Sequence, residues 1–278
     1  MERIQSAIEK ARAAREQRVP RPADGLAPPE AARLAVAPPA VEADPWRELV
    51  VFEPDRRMLE SNRIVAYKSG PAAIPFDVMR TKLLYQMRAN SWKRIAVTSP
   101  SSGCGKTMVS LNLAFSLSRQ SDIRILVVEL DLRRPSMARV LGLATKQSFA
   151  NVLDGTAVAE AHMVRYGANL IFATNHSAAR NPAELLQGAG SAVVLDAIEA
   201  RYRPDIMIFD MPPMLVNDDT IAFLDQVDCA LLVGAAEKST IEEIDKCEQE
   251  LASRTQVLGV VLNKCRYLEK GESYGYDA

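Results

Sequence analysis

The residues whose types and spacing best suit chemistry in this chain are Thr98-Ser99-Pro100-Ser101-Ser102-Gly103-Cys104-Gly105-Lys106-Thr107. Gly103 and Gly105 permit backbone conformations closed to other residues, so successive amide N–H groups can turn inward around a β-phosphate. Lys106 supplies a point charge for the β- and γ-phosphates, and the Thr107 hydroxyl is placed to ligate Mg²⁺. Ser102, Gly103, Cys104, Gly105, Lys106, Thr107 and Met108 therefore form the expected nucleotide cradle. Pro100 stands where the pattern G-x-x-x-x-G-K-[ST] has its first glycine, which makes the loop a variant. Two acidic stretches could complete the chemistry, Glu129-Leu130-Asp131-Leu132-Arg133-Arg134-Pro135 and Asp210-Met211-Pro212-Pro213. A phosphate-loop enzyme needs a carboxylate to hold Mg²⁺ or its waters, and a protein kinase needs another to take the proton of the attacking hydroxyl. Asp210 suits the metal role. Glu129 and Asp131, two residues apart, can share positioning and base duties.

Those residues must be carried by particular elements. Arg94-Ile95-Ala96-Val97 reads as a strand entering the loop, and apolar residues at 108, 109, 111, 113, 114, 115 and 117 give the helix that leaves it. Further Val-, Ile- and Leu-rich strands are expected at 124–129, 169–173, 205–210, 227–233 and 257–262. Helices are expected at 75–90, 107–119, 190–202, 216–225 and 239–253, with Pro75 in a first turn. Alternation of this kind predicts an α/β fold of the P-loop NTPase type, a mostly parallel sheet with helices on both faces. Ligand is expected at the carboxyl ends of the strands, where the acidic stretches fall.

With 278 residues, 48% of them hydrophobic, the chain can bury one sizeable core and still carry an extension. A net charge of −1 gives no whole-chain argument for nucleic acid or anionic lipid. Cys104, Cys229, Cys247 and Cys265 show no C-x-x-C spacing and read as reduced thiols of a cytoplasmic protein. No apolar run approaches the length of a membrane span. Residues 1–18 place Ile4, Ala7, Ile8, Ala11 and Ala14 on one helical face, which reads either as a docking helix or as a solvated one without a partner. Residues 19–45 are Pro- and Ala-rich and read as a largely disordered linker, 46–266 as the phosphate-loop domain and 267–278 as a flexible tail. His162 and His176 sit in no motif, and Trp46 and Trp92 read as packing residues.

Taken together, these motifs resemble the bacterial tyrosine kinases of capsule and exopolysaccharide synthesis, from about Phe76 to Asn263. The resemblance rests on the variant phosphate loop, on Glu129-x-Asp131-x-Arg133 followed by Arg134-Pro135, on Asn181-Pro182-Ala183-Glu184-Leu185-Leu186, on Asp210-x-Pro212-Pro213 and on the strand leading into Asn263-Lys264. It implies an ATP-dependent protein-tyrosine autokinase that regulates polysaccharide polymerisation or export. Lys106 would hold the phosphates, Thr107, Asp131 and Asp210 would organise Mg²⁺, and Asn263 would read the adenine edge. Glu129 occupies the position of the family's proposed base, where Asp is usual, so its carboxylate sits one methylene further out. The subunit-ring motif E-x-x-R-x-x-R is reduced here to Ile74, Asp77 and Arg80, of which only the arginine matches. Three of the seven tyrosines, Tyr267, Tyr274 and Tyr276, lie in the last twelve residues and are the expected autophosphorylation sites. The implied partner is a membrane-embedded chain-length regulator or co-polymerase on a separate chain, which would recruit this one to the inner face of the plasma membrane. Residues 1–18 and 46–75 are its candidate contacts, and a homo-oligomer is a further expectation. Two alternatives share the fold: a partitioning-type regulatory ATPase, which usually carries a signature lysine where this chain has Ser101, and an ATP-binding scaffold without kinase activity.

Overall fold

The computed structural model describes residues 44–144 and 146–266. The expected N-terminal helix, the linker up to residue 43 and the tail with Tyr267, Tyr274 and Tyr276 lie outside the described residues. Eight strands run in chain order as β1 (Val50–Val51), β2 (Arg94–Thr98), β3 (Ile125–Glu129), β4 (Met163–Tyr166), β5 (Leu170–Ala173), β6 (Ile206–Asp210), β7 (Cys229–Ala235) and β8 (Gln256–Asn263). The helices are α1 (Arg56–Ser61), α2 (Ile74–Asn90), α3 (Lys106–Ser118), α4 (Met137–Leu141), α5 (Ala150–Leu153), α6 (Pro182–Gln187), α7 (Ala189–Tyr202), α8 (Asp219–Phe223) and α9 (Ile241–Ala252). The sheet order is β1-β4-β5-β3-β6-β2-β7-β8, and only the β4/β5 pair is antiparallel.

Side chains alternate across the pleat, and both faces are buried. Ile95, Val97, Ile125, Val127, Ile206 and Ile208 point to one face, under Leu83 and Met87 of α2 and Leu111 and Phe115 of α3. Ala96, Leu126, Val128, Met207 and Phe209 point to the other, under Leu195 and Ile198 of α7, Phe223 of α8 and Leu251 of α9. The expected α/β fold with a mostly parallel sheet is the fold observed. The helix expected over 216–225 starts only at Asp219, because the amides of Met214 and Leu215 are first held by the carbonyls of Ser99 (2.8 Å) and Pro100 (3.1 Å).

Residues 46–75, a candidate partner contact, are mostly exposed, with Val50, Val51, Met58 and Ile74 among the exposed apolar side chains, but buried positions anchor the segment in the core. Trp46, Leu49, Leu59, Ile64, Ala66 and Ala73 are buried. Trp46 donates its indole N–H to the Tyr202 carbonyl at 2.6 Å, meets the Tyr202 ring edge-on at 6.5 Å and lies 5.1 Å from the Arg124 guanidinium. Trp46→Ala should therefore cost about 3–5 kcal/mol, read as a lowered denaturant midpoint at unchanged slope. Arg80, the retained arginine of the ring motif, is also turned inward. Its guanidinium donates to the Ser116 carbonyl at 2.9 Å and pairs with Asp77 at 3.4 Å.

Candidate functional site

Strands β3, β6, β2, β7 and β8 lie side by side and parallel, so their carboxyl ends form one rim. The loop from Ser99 to Gly105 leaves β2 at that rim and opens α3, whose first amides have no intrahelical carbonyl to bind and point into the loop. Gly103 and Gly105 have φ of +80° and +93°, and a Cβ at Gly105 would collide with Nδ2 of Asn263. The cradle is thus one that a side chain would fill, and its donor set of amides, ammonium and hydroxyl suits a polyphosphate. The Thr98 hydroxyl donates to the Pro212 carbonyl at 2.7 Å and the Met211 amide to the Val97 carbonyl at 2.9 Å, which clamps Asp210-Met211-Pro212-Pro213 against the loop.

Lys106, Asp131 and Asp210 come together. In the β3/β6 ladder Glu129 stands opposite Asp210, and the amides of Leu130 and Asp131 both donate to the Asp210 carbonyl, at 2.9 and 3.0 Å. That turn carries Asp131 to Lys106, whose ammonium donates to Asp131 Oδ2 at 2.6 Å. The Thr107 hydroxyl donates to Asp210 Oδ2 at 2.6 Å and the Ser110 hydroxyl to Oδ1 at 3.2 Å. Burial drives the Asp210 carboxyl above its ordinary range, against the opposing pull of Lys106 and Thr107. Burial also works against the Lys106 ammonium, but the carboxylates of Asp210, Asp131 and Glu129 outweigh it and hold its pKa above the usual lysine value. A buried acid beside a hydroxyl is a donor set that fits Mg²⁺.

Glu129 is placed differently from the expected base. It is fully buried, with Oε1 accepting from the amides of Ser136 (2.6 Å) and Met137 (2.7 Å) and Oε2 from that of Asn175 (2.9 Å). The extra methylene of Glu lets the carboxylate reach the start of α4 and the end of β5, and so tie β3, α4 and the segment after β5 together. Burial pushes its carboxyl up to about 7, although the three amides favour the charged form. In Glu129→Gln an NH₂ group faces backbone donors, which should cost about 1–3 kcal/mol. A folded pKa above the unfolded value means that wild-type stability declines as pH rises from about 4.5 to 7. The deficit of Glu129→Gln should therefore be larger at pH 5 than at pH 8 in denaturant titrations.

Asn263 braces the loop through one end of its side chain: its Nδ2 donates to the Cys104 carbonyl at 2.8 Å, and its Oδ1 accepts from the adjacent Lys264 amide at 2.8 Å. Met108 packs against the core beside α2, and Ser102 presents its carbonyl to Lys238. The sequence reading missed Lys238 and Ser110. Two readings were open for the basic pair Arg133-Arg134, steering an acidic tail or anchoring a loop by ion pairs. Arg133 makes a bidentate pair with Asp219 at 2.7 and 2.9 Å that links the segment after β3 to α8. Ser110 was detectable as the residue one helical turn beyond Thr107.

The family model for the CobQ/CobB/MinD/ParA nucleotide binding domain matches residues 95–273. Tyrosine-protein kinase CpsD of Streptococcus pneumoniae serotype 4 is 30% identical over 182 residues, covering 64% of this chain and 79% of CpsD. The chain belongs to this nucleotide-binding family, on its bacterial tyrosine-kinase branch. The kinase domain of the Escherichia coli tyrosine kinase ETK has the same fold, with a TM-score of 0.65 and 26% identity over 74% of this chain and 80% of that one. The chain spans 24% of the length of EpsB of Ralstonia nicotianae, to which it is 29% identical over 187 residues, or 66% of this chain. Membership of the branch agrees with the resemblance drawn from the motifs. Among the described residues, no helix is long and apolar enough to cross a membrane.

Proposed function

We propose that this chain is an ATP- and Mg²⁺-dependent protein-tyrosine autokinase acting in the control of capsular or exopolysaccharide polymerisation or export. The observation that carries the reading is a second carboxylate, Asp131, held on the Lys106 ammonium beside the Thr107–Asp210 pair. Bound Mg·ATP supplies the phosphoryl group and the cation that neutralises it. Lys106 would exchange Asp131 for the phosphates, which would free the Asp131 carboxylate. Thr107 and Asp210 would hold the metal, with Ser110 fixing the other oxygen of Asp210. Asp131 then takes the proton of a tyrosine hydroxyl as the phenolic oxygen bonds to phosphorus and the bond to the departing ADP breaks. In this reading Asp131 alone is the base, and Glu129 shapes the loop that presents it.

Tyr267, Tyr274 and Tyr276 are the proposed acceptors, reached in trans within a homo-oligomer. The proposed partner is a membrane-embedded co-polymerase on a separate chain that holds this cytoplasmic chain at the inner face of the plasma membrane, with residues 1–18 and 46–75 as the candidate contacts. The test is where the γ-phosphorus goes when purified chain is given labelled Mg·ATP. The proposal expects label on protein tyrosine. Inorganic phosphate with ATP-driven dimerisation and no labelled protein would replace it with a partitioning-type ATPase, and nucleotide binding without turnover would replace it with a scaffold.

A further inference from the structure

Strand β7 leaves the sheet at Ala235, and Ala236 to Thr240 turn back over the phosphate loop before α9 begins. The turn is fixed at both ends. The amides of Lys238 and Ser239 donate to the Ala235 carbonyl at 3.2 and 2.9 Å, and the Ser239 hydroxyl accepts from the Ala235 amide at 3.0 Å. Thr240 then starts α9 with a reciprocal cap to Glu243. Between these anchors Glu237 takes a left-handed φ of +61°, which aims the next side chain across the rim.

That side chain is Lys238. Its ammonium donates to the Ser102 carbonyl, and a Cβ at Gly103 would stand 3.2 Å from its Nζ. Its neighbour Ser239 touches the same loop, with Oγ 3.6 Å from the Cys104 sulfur. Burial pushes the Cys104 thiol up, but the hydroxyls of Ser239 and Ser101 and the charge of Lys238 outweigh it and bring the thiol below its usual range. The site therefore carries two ammonium groups with different partners. Lys106 pairs with a carboxylate inside the cradle, and Lys238 rests on a neutral carbonyl at the outer rim, where it remains exposed. An ammonium binds a neutral carbonyl less strongly than an anionic phosphate oxygen, so a phosphate is the stronger partner for this group.

We propose that Lys238 is a second phosphate-binding lysine of this site, exchanging the Ser102 carbonyl for a non-bridging oxygen of the terminal phosphate of ATP. The β-phosphate occupies the helix end of the loop at Gly105 to Thr107, which leaves the Ser102–Gly103 rim to the phosphate beyond it. Lys238 comes from a different strand than the loop and supplies positive charge on the side where Ser101 has none. The inference rests on the ATP reading of the site given above.

Calorimetric titration of the full chain with Mg·ATP and Mg·ADP tests it. Lys238→Met should weaken ATP about tenfold or more while ADP changes less than about twofold, and Lys238→Arg should recover most of the loss. The ATP effect should shrink as salt rises. Unchanged ATP affinity in Lys238→Met overturns the proposal. Equal weakening of both nucleotides overturns it too, since it would make Lys238 a structural latch on the loop. Wild-type chain that binds neither nucleotide would sink the ATP reading itself, an outcome distinct from both. Because Lys238 is exposed, the thermal midpoint of each variant should match wild type.

Discussion

Lys106→Met should reduce phosphoryl transfer by at least about 10²–10³-fold and weaken ATP binding with it. Two effects act in the same direction. The substitution removes a charge that meets the phosphates in a largely desolvated cradle, where a point charge has far more effect than in water. It also leaves Asp131 and Asp210 facing one another without the cation that now offsets them, so Asp210 should hold its proton more firmly and bind metal less well. Lys106→Arg should not rescue the activity, because a planar guanidinium cannot reproduce a compact ammonium threaded between Asp131 and the loop. Steady-state rates and ATP titrations check both substitutions, and an active Lys106→Met would rule out the loop as the site of transfer.

Asp131→Asn should lower kcat by about 10²–10⁴-fold while ATP affinity stays within a few-fold of wild type. An amide keeps the shape of the side chain and accepts from the Lys106 ammonium, but it cannot take a proton. Glu129→Gln should behave in the opposite way. Its main effect is on stability, because its carboxylate is occupied by the amides of Ser136, Met137 and Asn175. Comparing the two variants at equal folded fraction separates a base from a brace. A Glu129→Gln protein that is fully stable and inactive, beside an active Asp131→Asn, would return the base role to Glu129.

The elements that carry the site were legible because each is written locally. Strand β2, the glycines and Lys106-Thr107 follow one another without interruption, the runs ending at Glu129 and Asp210 are apolar enough to specify buried parallel strands, and the run ending at Asn263 forms the half-exposed edge strand β8. Strands β1 and β4 were not legible, since two residues at the sheet edge carry no periodicity and Met163-Val164-Arg165-Tyr166 lacks the unbroken apolar run of β5. The role of Glu129 was hidden for another reason. Its partners lie 7, 8 and 46 residues away, and only the packed positions of α4 and the segment after β5 reveal that its oxygens are occupied. Lys238 depends on strand order: β7 lies beside β2, and that adjacency, rather than any spacing along the chain, brings the turn after β7 onto the phosphate loop. Trp46 was read as a packing residue, and its indole bond to Tyr202 explains why the chain just after the Pro-rich stretch is built into the core.

The most direct measurement of the central claim is mass spectrometry of the purified 278-residue chain after incubation with Mg·ATP, run beside Lys106→Met and the triple variant Tyr267→Phe, Tyr274→Phe, Tyr276→Phe. The account predicts phosphotyrosine within residues 267–278 of the wild-type chain and none there in either variant. Consumption of ATP with every tyrosine of the wild-type chain unmodified would contradict it.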